Sequence, residues 1–115
     1  MKDKWTELLT IVVSKLLSFT KDKVKYGVFF MEPVNPDTDG CHDYRKFVTQ
    51  PMDLGTALNR LYLDYYPSSK NFWYELGLVF RNCRNYNHDE ESEIRILCDT
   101  LREAAIILYK EWHIH

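Results

Sequence analysis

Apolar residues return every three or four positions along most of this chain, and the rhythm fails for long only once. The 25 residues from Gly27 to Pro51 carry three of the four prolines and two of the four glycines. Helical spacing on both sides of one such interruption restricts the fold to packed helices joined by a single long excursion. From Trp5, the residues Leu8, Leu9, Val12, Leu16 and Leu17 mark a first amphipathic helix. After the excursion, Asp53 is placed to cap a second helix marked by Leu54, Ala57, Leu58, Leu61 and Tyr62, and Tyr65, Tyr66 and Pro67 end it. Ser68 or Ser69 opens a third, with Phe72, Leu76, Val79, Phe80 and Cys83 in helical register as far as Tyr86. The acids Asp89, Glu90, Glu91 and Glu93 suit the positive start of a fourth helix, whose apolar face is Ile94, Leu97, Cys98, Leu101, Ala105, Leu108 and Trp112. Lys21 to Tyr26 is polar and fits neither helix nor strand, and no strand pattern competes elsewhere. The expected architecture is all-α: an antiparallel four-helix bundle with a long structured loop between helices one and two, in a single domain over residues 1–115.

Disorder does not suit the loop, because Val28, Phe29, Phe30, Met31, Val34, Tyr44, Phe47, Val48 and Met52 supply more apolar surface than a disordered tract carries. Read from pattern alone, these side chains cover one end of the bundle. If helices one and two are antiparallel neighbours, as are three and four, the loop and the connection after Tyr86 share that end. An apolar loop, the amide of Asn87 and an acidic rim (Glu32, Asp37, Asp39, Asp43 and Asp89 to Glu93) then surround one mouth. Asn87 also has a plain structural reading, since Asn tolerates left-handed backbone and often closes helices.

Charge and motifs narrow the function. Fifteen basic against seventeen acidic residues give a formal charge of −2, which does not suit a protein that must neutralise several phosphates. Cys41, Cys83 and Cys98 form no CxxC pair, and no N-x-S/T sequon is present, so a reducing compartment is expected. No stretch approaches the roughly 18 apolar residues of a membrane span, and the charged start MKDKWTELL does not resemble a signal peptide. There is no Gly-rich phosphate loop, HExxH or GxSxG. Cys83 with His88 as thiol and base, or Cys41, His42, Cys83 and His88 as a zinc site, are the enzyme readings the residues permit; Cys83 falls on an apolar stripe, where a thiol serves as a small hydrophobe. His113 and His115 are expected in an exposed tail.

FMEPV at 30 to 34, Tyr44, PMDLGT at 51 to 56 and NCRNYN at 82 to 87 together resemble the bromodomain signature, over nearly the whole chain as far as Trp112. The resemblance implies a left-handed four-helix bundle that holds acetylated lysine between the long loop and the last connection. It assigns Asn87 to donate its amide to the acetyl carbonyl, and Tyr44 to reach the same oxygen through an ordered water. Val34, Phe30, Cys83 and Tyr86 become walls, Ile94 the gatekeeper, and Asp39 and Cys41 entrance positions. The family's Trp-Pro-Phe shelf reads Val28, Phe29, Phe30 here, so the flat tryptophan wall is missing from the entrance. The connection after Asn87 is one residue longer than in common members, which makes Glu93 the alternative gatekeeper; Ile94 is favoured because it belongs to the apolar stripe. Arg45 follows Tyr44 where a second tyrosine is frequent, and His42 stands where proline is common.

What the resemblance implies is a non-enzymatic reader with no cofactor or metal. Its partners would be acetylated lysine peptides, foremost histone tails, bound by a nuclear monomer that contacts neither nucleic acid nor membrane directly. The alternative from another class is a four-helix docking module whose mouth is occluded by Phe29, Phe30 or Met31.

Overall fold

The computed structural model describes residues 4–114. Four long helices form the bundle: α1 (Lys4–Leu17), α3 (Leu54–Tyr62), α4 (Ser69–Tyr86) and α5 (Glu93–Ile114). A one-turn helix, α2 (Tyr44–Phe47), and a 3-10 turn (Tyr26–Phe30) lie between α1 and α3. The packing is pairwise, α1 mainly on α3 and α4 on α5, around a core that includes Leu9, Val13, Leu16, Leu54, Leu61, Phe72 and Leu101.

Local chemistry explains the element ends. The Asp53 carboxylate accepts the Thr56 backbone N–H at 2.8 Å and the Thr56 hydroxyl at 2.6 Å, starting α3. That helix stops at Tyr62, because Asp64 takes a left-handed backbone (φ 52°) and the Tyr65 N–H turns back to Arg60 O at 2.9 Å. The stop therefore precedes the Tyr65-Tyr66-Pro67 signal by a turn. Ser68 precedes α4, and Ser92 opens α5 by accepting the Arg95 N–H at 3.3 Å.

Three expectations need correction. Leu8 is 44% exposed, and the buried face of α1 instead runs through Thr6, Leu9, Val12, Val13 and Leu16; the helical angle, and not the count of apolar residues, decides which side faces the core. The polar stretch after α1 contains a hairpin, β1 (Thr20–Lys21) paired with β2 (Val24–Lys25). Both loop residues, Asp22 and Lys23, have positive φ, the backbone that matches strand twist in two-residue turns. Two-residue strands are too short to show alternation. His113 is exposed, as expected, but lies within α5, its Nδ1 2.8 Å from Tyr109 O, and not in a tail; His115 is outside the described residues.

The long loop is fastened at both ends by glycines that admit close backbone approach. A Cβ at Gly27 would meet Leu16 O at 2.4 Å, where the loop leaves α1. At the other end the Gly55 N–H donates to Met31 O at 3.0 Å, and a Cβ there would lie 2.2 Å from that oxygen. Between these anchors Phe30, Tyr44 and Val48 are buried, whereas Val28, Phe29, Met31, Val34 and Phe47 remain exposed. Only part of the loop's apolar surface therefore enters the core.

Gly55→Ala is expected to lower stability by about 1–3 kcal/mol through this overlap, whereas Gly77→Ala in α4, where a Cβ meets nothing within 4 Å, should raise it by up to about 1 kcal/mol. Urea midpoints of the two variants measure the contrast; equal shifts would show that Met31 O does not fix the loop.

Candidate functional site

At one end of the bundle the loop, α4 and the start of α5 enclose a cavity of about 270 Å³. Phe30, Val34, Tyr44, Cys83, Tyr86, Asn87 and Ile94 all line it, as do the entrance positions Phe29, Asp39 and Cys41. Val28 does not; it lies with Phe29, Val34 and Asp39 on an adjoining groove of the loop. Of the two residues at the start of α5, Ile94 lines the cavity and Glu93 does not. Met52, Asp53, Val79 and Glu32 complete the lining; sequence reading placed them in the loop, at a helix cap, on a helix stripe and on the acidic rim.

Asn87 ends α4 with φ −100°, so it does not close the helix by left-handed backbone. Its side chain turns back instead: Nδ2 donates to Cys83 O at 2.9 Å, the same carbonyl that accepts the Asn87 backbone N–H at 2.9 Å. A primary amide carries two N–H groups. One is committed to Cys83 O, which fixes the plane of the amide. The remaining contact of Nδ2, with Cys83 Sγ at 3.6 Å, is to a weak acceptor that a carbonyl oxygen readily displaces.

Aromatic contacts hold the opposite wall. Tyr44 and Tyr86 meet edge to face with centroids 5.1 Å apart, and Phe47 packs on Tyr86 and on His88. The Tyr86 hydroxyl donates to Asp43 at 2.7 Å, tying the end of α4 to the loop just before α2. Burial, aided by the Cys83 and Cys41 thiols nearby, raises the Tyr44 phenol above its ordinary pKa. Tyr44 thus stays a protonated hydroxyl beside the cavity. Behind Cys83, the thiol of Cys98 reaches Phe80 O at 3.5 Å, and its hydrogen bond with Cys83, together with burial, holds it protonated. Cys41, His42, Cys83 and His88 do not gather into a metal-holding cluster among the described residues.

Arg95 was missed from sequence. It is 7% exposed, and its guanidinium donates to Asn87 O at 3.1 Å and to both carboxylate oxygens of Asp99 at 3.2 and 3.3 Å. An arginine thereby clamps the backbone of the residue whose side chain faces the cavity. The signal was its register: 95, 98, 101 and 105 step along one face, and a charged residue inside an apolar stripe requires buried partners.

A protein-family model described as Bromodomain matches residues 13–100. The chain belongs to the bromodomain family. The bromodomain is 42% identical over 76 residues to a bromodomain-containing protein of Schizosaccharomyces pombe, covering 66% of this chain and 10% of that protein. Against transcription factor GTE1 of Arabidopsis thaliana it is 34% identical over 79 residues, covering 69% of this chain and 20% of the other. It thus spans a fifth or less of these two curated relatives. The second bromodomain of Candida albicans Bdf1, solved with an imidazopyridine bound, superimposes with a TM-score of 0.78 at 26% identity, over 91% of this chain and 96% of that one.

Two measurements probe the geometry. Arg95→Met should cost about 1–3 kcal/mol by leaving Asn87 O unpaired and should broaden the backbone amides of residues 87 to 91 in NMR spectra; unchanged stability would show that water replaces the guanidinium. Because the folded state raises the Tyr44 pKa, stability is fully present below about pH 10, the unfolded value, and declines as pH rises through the folded one. Denaturation midpoints should fall less steeply above about pH 10 in Tyr44→Phe than in the parent chain.

Proposed function

We propose that this bromodomain is a non-catalytic reader of N-acetyl-lysine. The observation that carries the reading is the Asn87 amide, held by Cys83 O with its second N–H available to a cavity walled by Phe30, Val34, Val79, Cys83 and Ile94. Acetylation masks the lysine cation and leaves a neutral amide with one strong acceptor. Apolar walls take up the methylenes and the methyl group at about 0.8 kcal/mol per buried CH2, while an unpaired ammonium in the same place costs several kcal/mol. The carbonyl still needs a donor, and a neutral carboxamide provides one without introducing a charge.

Asn87 is the proposed acetyl-carbonyl donor. Tyr44 supports the same oxygen through water, Phe30, Val34, Cys83 and Tyr86 form the walls, and Ile94 stands as gatekeeper in preference to Glu93. Val28, Phe29, Asp39 and Cys41 shape the entrance. A single hydrogen bond contributes about 0.5–1.5 kcal/mol against an association cost of at least about 4 kcal/mol, so one acetylated peptide should bind at micromolar affinity or weaker. Glu32 and Asp39 on the cavity lining, with the acids beyond Asn87, suit a basic tail, and a histone tail is the proposed partner. Residues 1–115 would act as one module, monomeric and nuclear, without direct nucleic-acid or membrane contact; the transcription-factor relative supports that setting. The open cavity favours this reading over a docking module with a mouth blocked by Phe29, Phe30 or Met31.

Titration of the 15N-labelled chain with acetylated and unmodified forms of one histone-tail peptide is the test. Shifts should appear around Asn87 with the acetylated form alone, and Asn87→Ala should remove them while costing about 0.5–1.5 kcal/mol of stability for the lost bond to Cys83 O. Equal responses to both peptides would refute the proposal.

A further inference from the structure

A second concavity, about 650 Å³, lies between α4 and α5 and shares no lining residue with the acetyl-lysine cavity. Its lining includes four arginines, Arg81, Arg84, Arg95 and Arg102, and not one carboxylate, in a chain whose formal charge is −2. Neutralisation is incomplete. Asp99 serves two of them, bonding Arg95 and facing Arg84 Nε at 3.4 Å, and Glu90 stands 4.0 Å from Arg95. Arg81 stands 6.0 Å above the Tyr74 ring, and Arg102 forms no ion pair among the described residues. The floor is apolar, with Leu76, Phe80 and Ala105, and at Gly77 a Cβ would meet nothing within 4 Å.

A second observation agrees in sign with the arginines. Trp73, which lines it, is only 9% exposed, yet its indole N–H has no hydrogen-bond partner among the described residues. A buried indole N–H normally finds an acceptor, because leaving it bare forfeits its hydration without compensation. Arg84 Nε is buried and lacks an aligned partner in the same way. Every unmet group here is a donor.

We infer that this groove is a second binding site, for an acidic peptide segment carrying an aliphatic side chain. Its carboxylates would meet the guanidinium groups of Arg81 and Arg102, whose planar forks suit carboxylate oxygens. Its aliphatic side chain would cover the floor beside Gly77 and the exposed edge of the Trp73 ring. A nucleic-acid strand matches the rim but not the floor. The Trp73 ring is already engaged edge to face by Phe72 and Tyr109, at 5.2 Å each, so it is not free as a platform for stacking a base.

The 15N-labelled chain, titrated with the hexapeptide Glu-Leu-Glu-Glu-Leu-Glu and its Gln-Leu-Gln-Gln-Leu-Gln counterpart, provides the test. The acidic peptide should shift the Trp73 indole N–H resonance saturably, and the amide peptide should not. Affinity should fall by about tenfold in the double variant Arg81→Glu, Arg102→Glu. Gly77→Leu, which fills the groove without changing charge, should give a comparable loss. An unmoved indole resonance, equal response to both peptides, or undiminished binding in Gly77→Leu would overturn the inference, as would tighter binding of oligothymidylate to the same resonances.

Discussion

The last turn of α4 leaves carbonyl groups with no partner inside the helix, and the mouth of the bundle is arranged around Asn87, the residue on which that turn ends. Cys83 O accepts from both the main chain and the side chain of Asn87; Asn87 O accepts from Arg95. The first pairing fixes the Asn87 amide in a plane, and the second fixes the backbone that carries it. Side chains and backbone held in this way have little entropy left to lose when a partner pairs with them. Tyr86, in the same turn, ties the helix end to Asp43 and closes the other side.

Around that fixed donor the cavity is built by subtraction. Its inner surface is mostly carbon and sulfur, from Phe30, Val34, Val79, Cys83 and Ile94, and its carboxylates, Asp39 and Glu32, come from the loop. The Asp53 carboxylate also lines it, but both oxygens are occupied by Thr56. A neutral side chain with one acceptor therefore meets a mostly apolar lining, with the attraction for cations confined to the loop side where Glu32 and Asp39 stand. The apolar lining and the loop carboxylates are thus supplied by different residues.

Much of the scaffold was legible in the sequence because a 3.6-residue period is written by many residues at once. Leu9, Val12 and Leu16, or Leu54, Ala57 and Leu61, are individually weak signals but jointly fix a face. What escaped depends on single residues or on geometry. The hairpin at Thr20–Lys25 has strands too short to carry a period, and Leu8 counted as core only because it is apolar. The site was a different matter: pattern placed aromatic residues and Asn87 at one end, yet their roles came from the family resemblance. Arg95 was overlooked because charge was taken to mean solvent, although its position within the α5 stripe required the buried carbonyl and carboxylate it holds.

The loop's anchorage bears on how such a module diversifies. Met31 is held to Gly55 through its carbonyl oxygen, and Gly27 sits against the Leu16 carbonyl, so both fastenings are made by main-chain atoms and by glycines that carry no Cβ. The side chains projecting between them, Val28 and Phe29, are consequently released from architectural duty. Substitution there changes the exposed surface beside the cavity and leaves the frame intact.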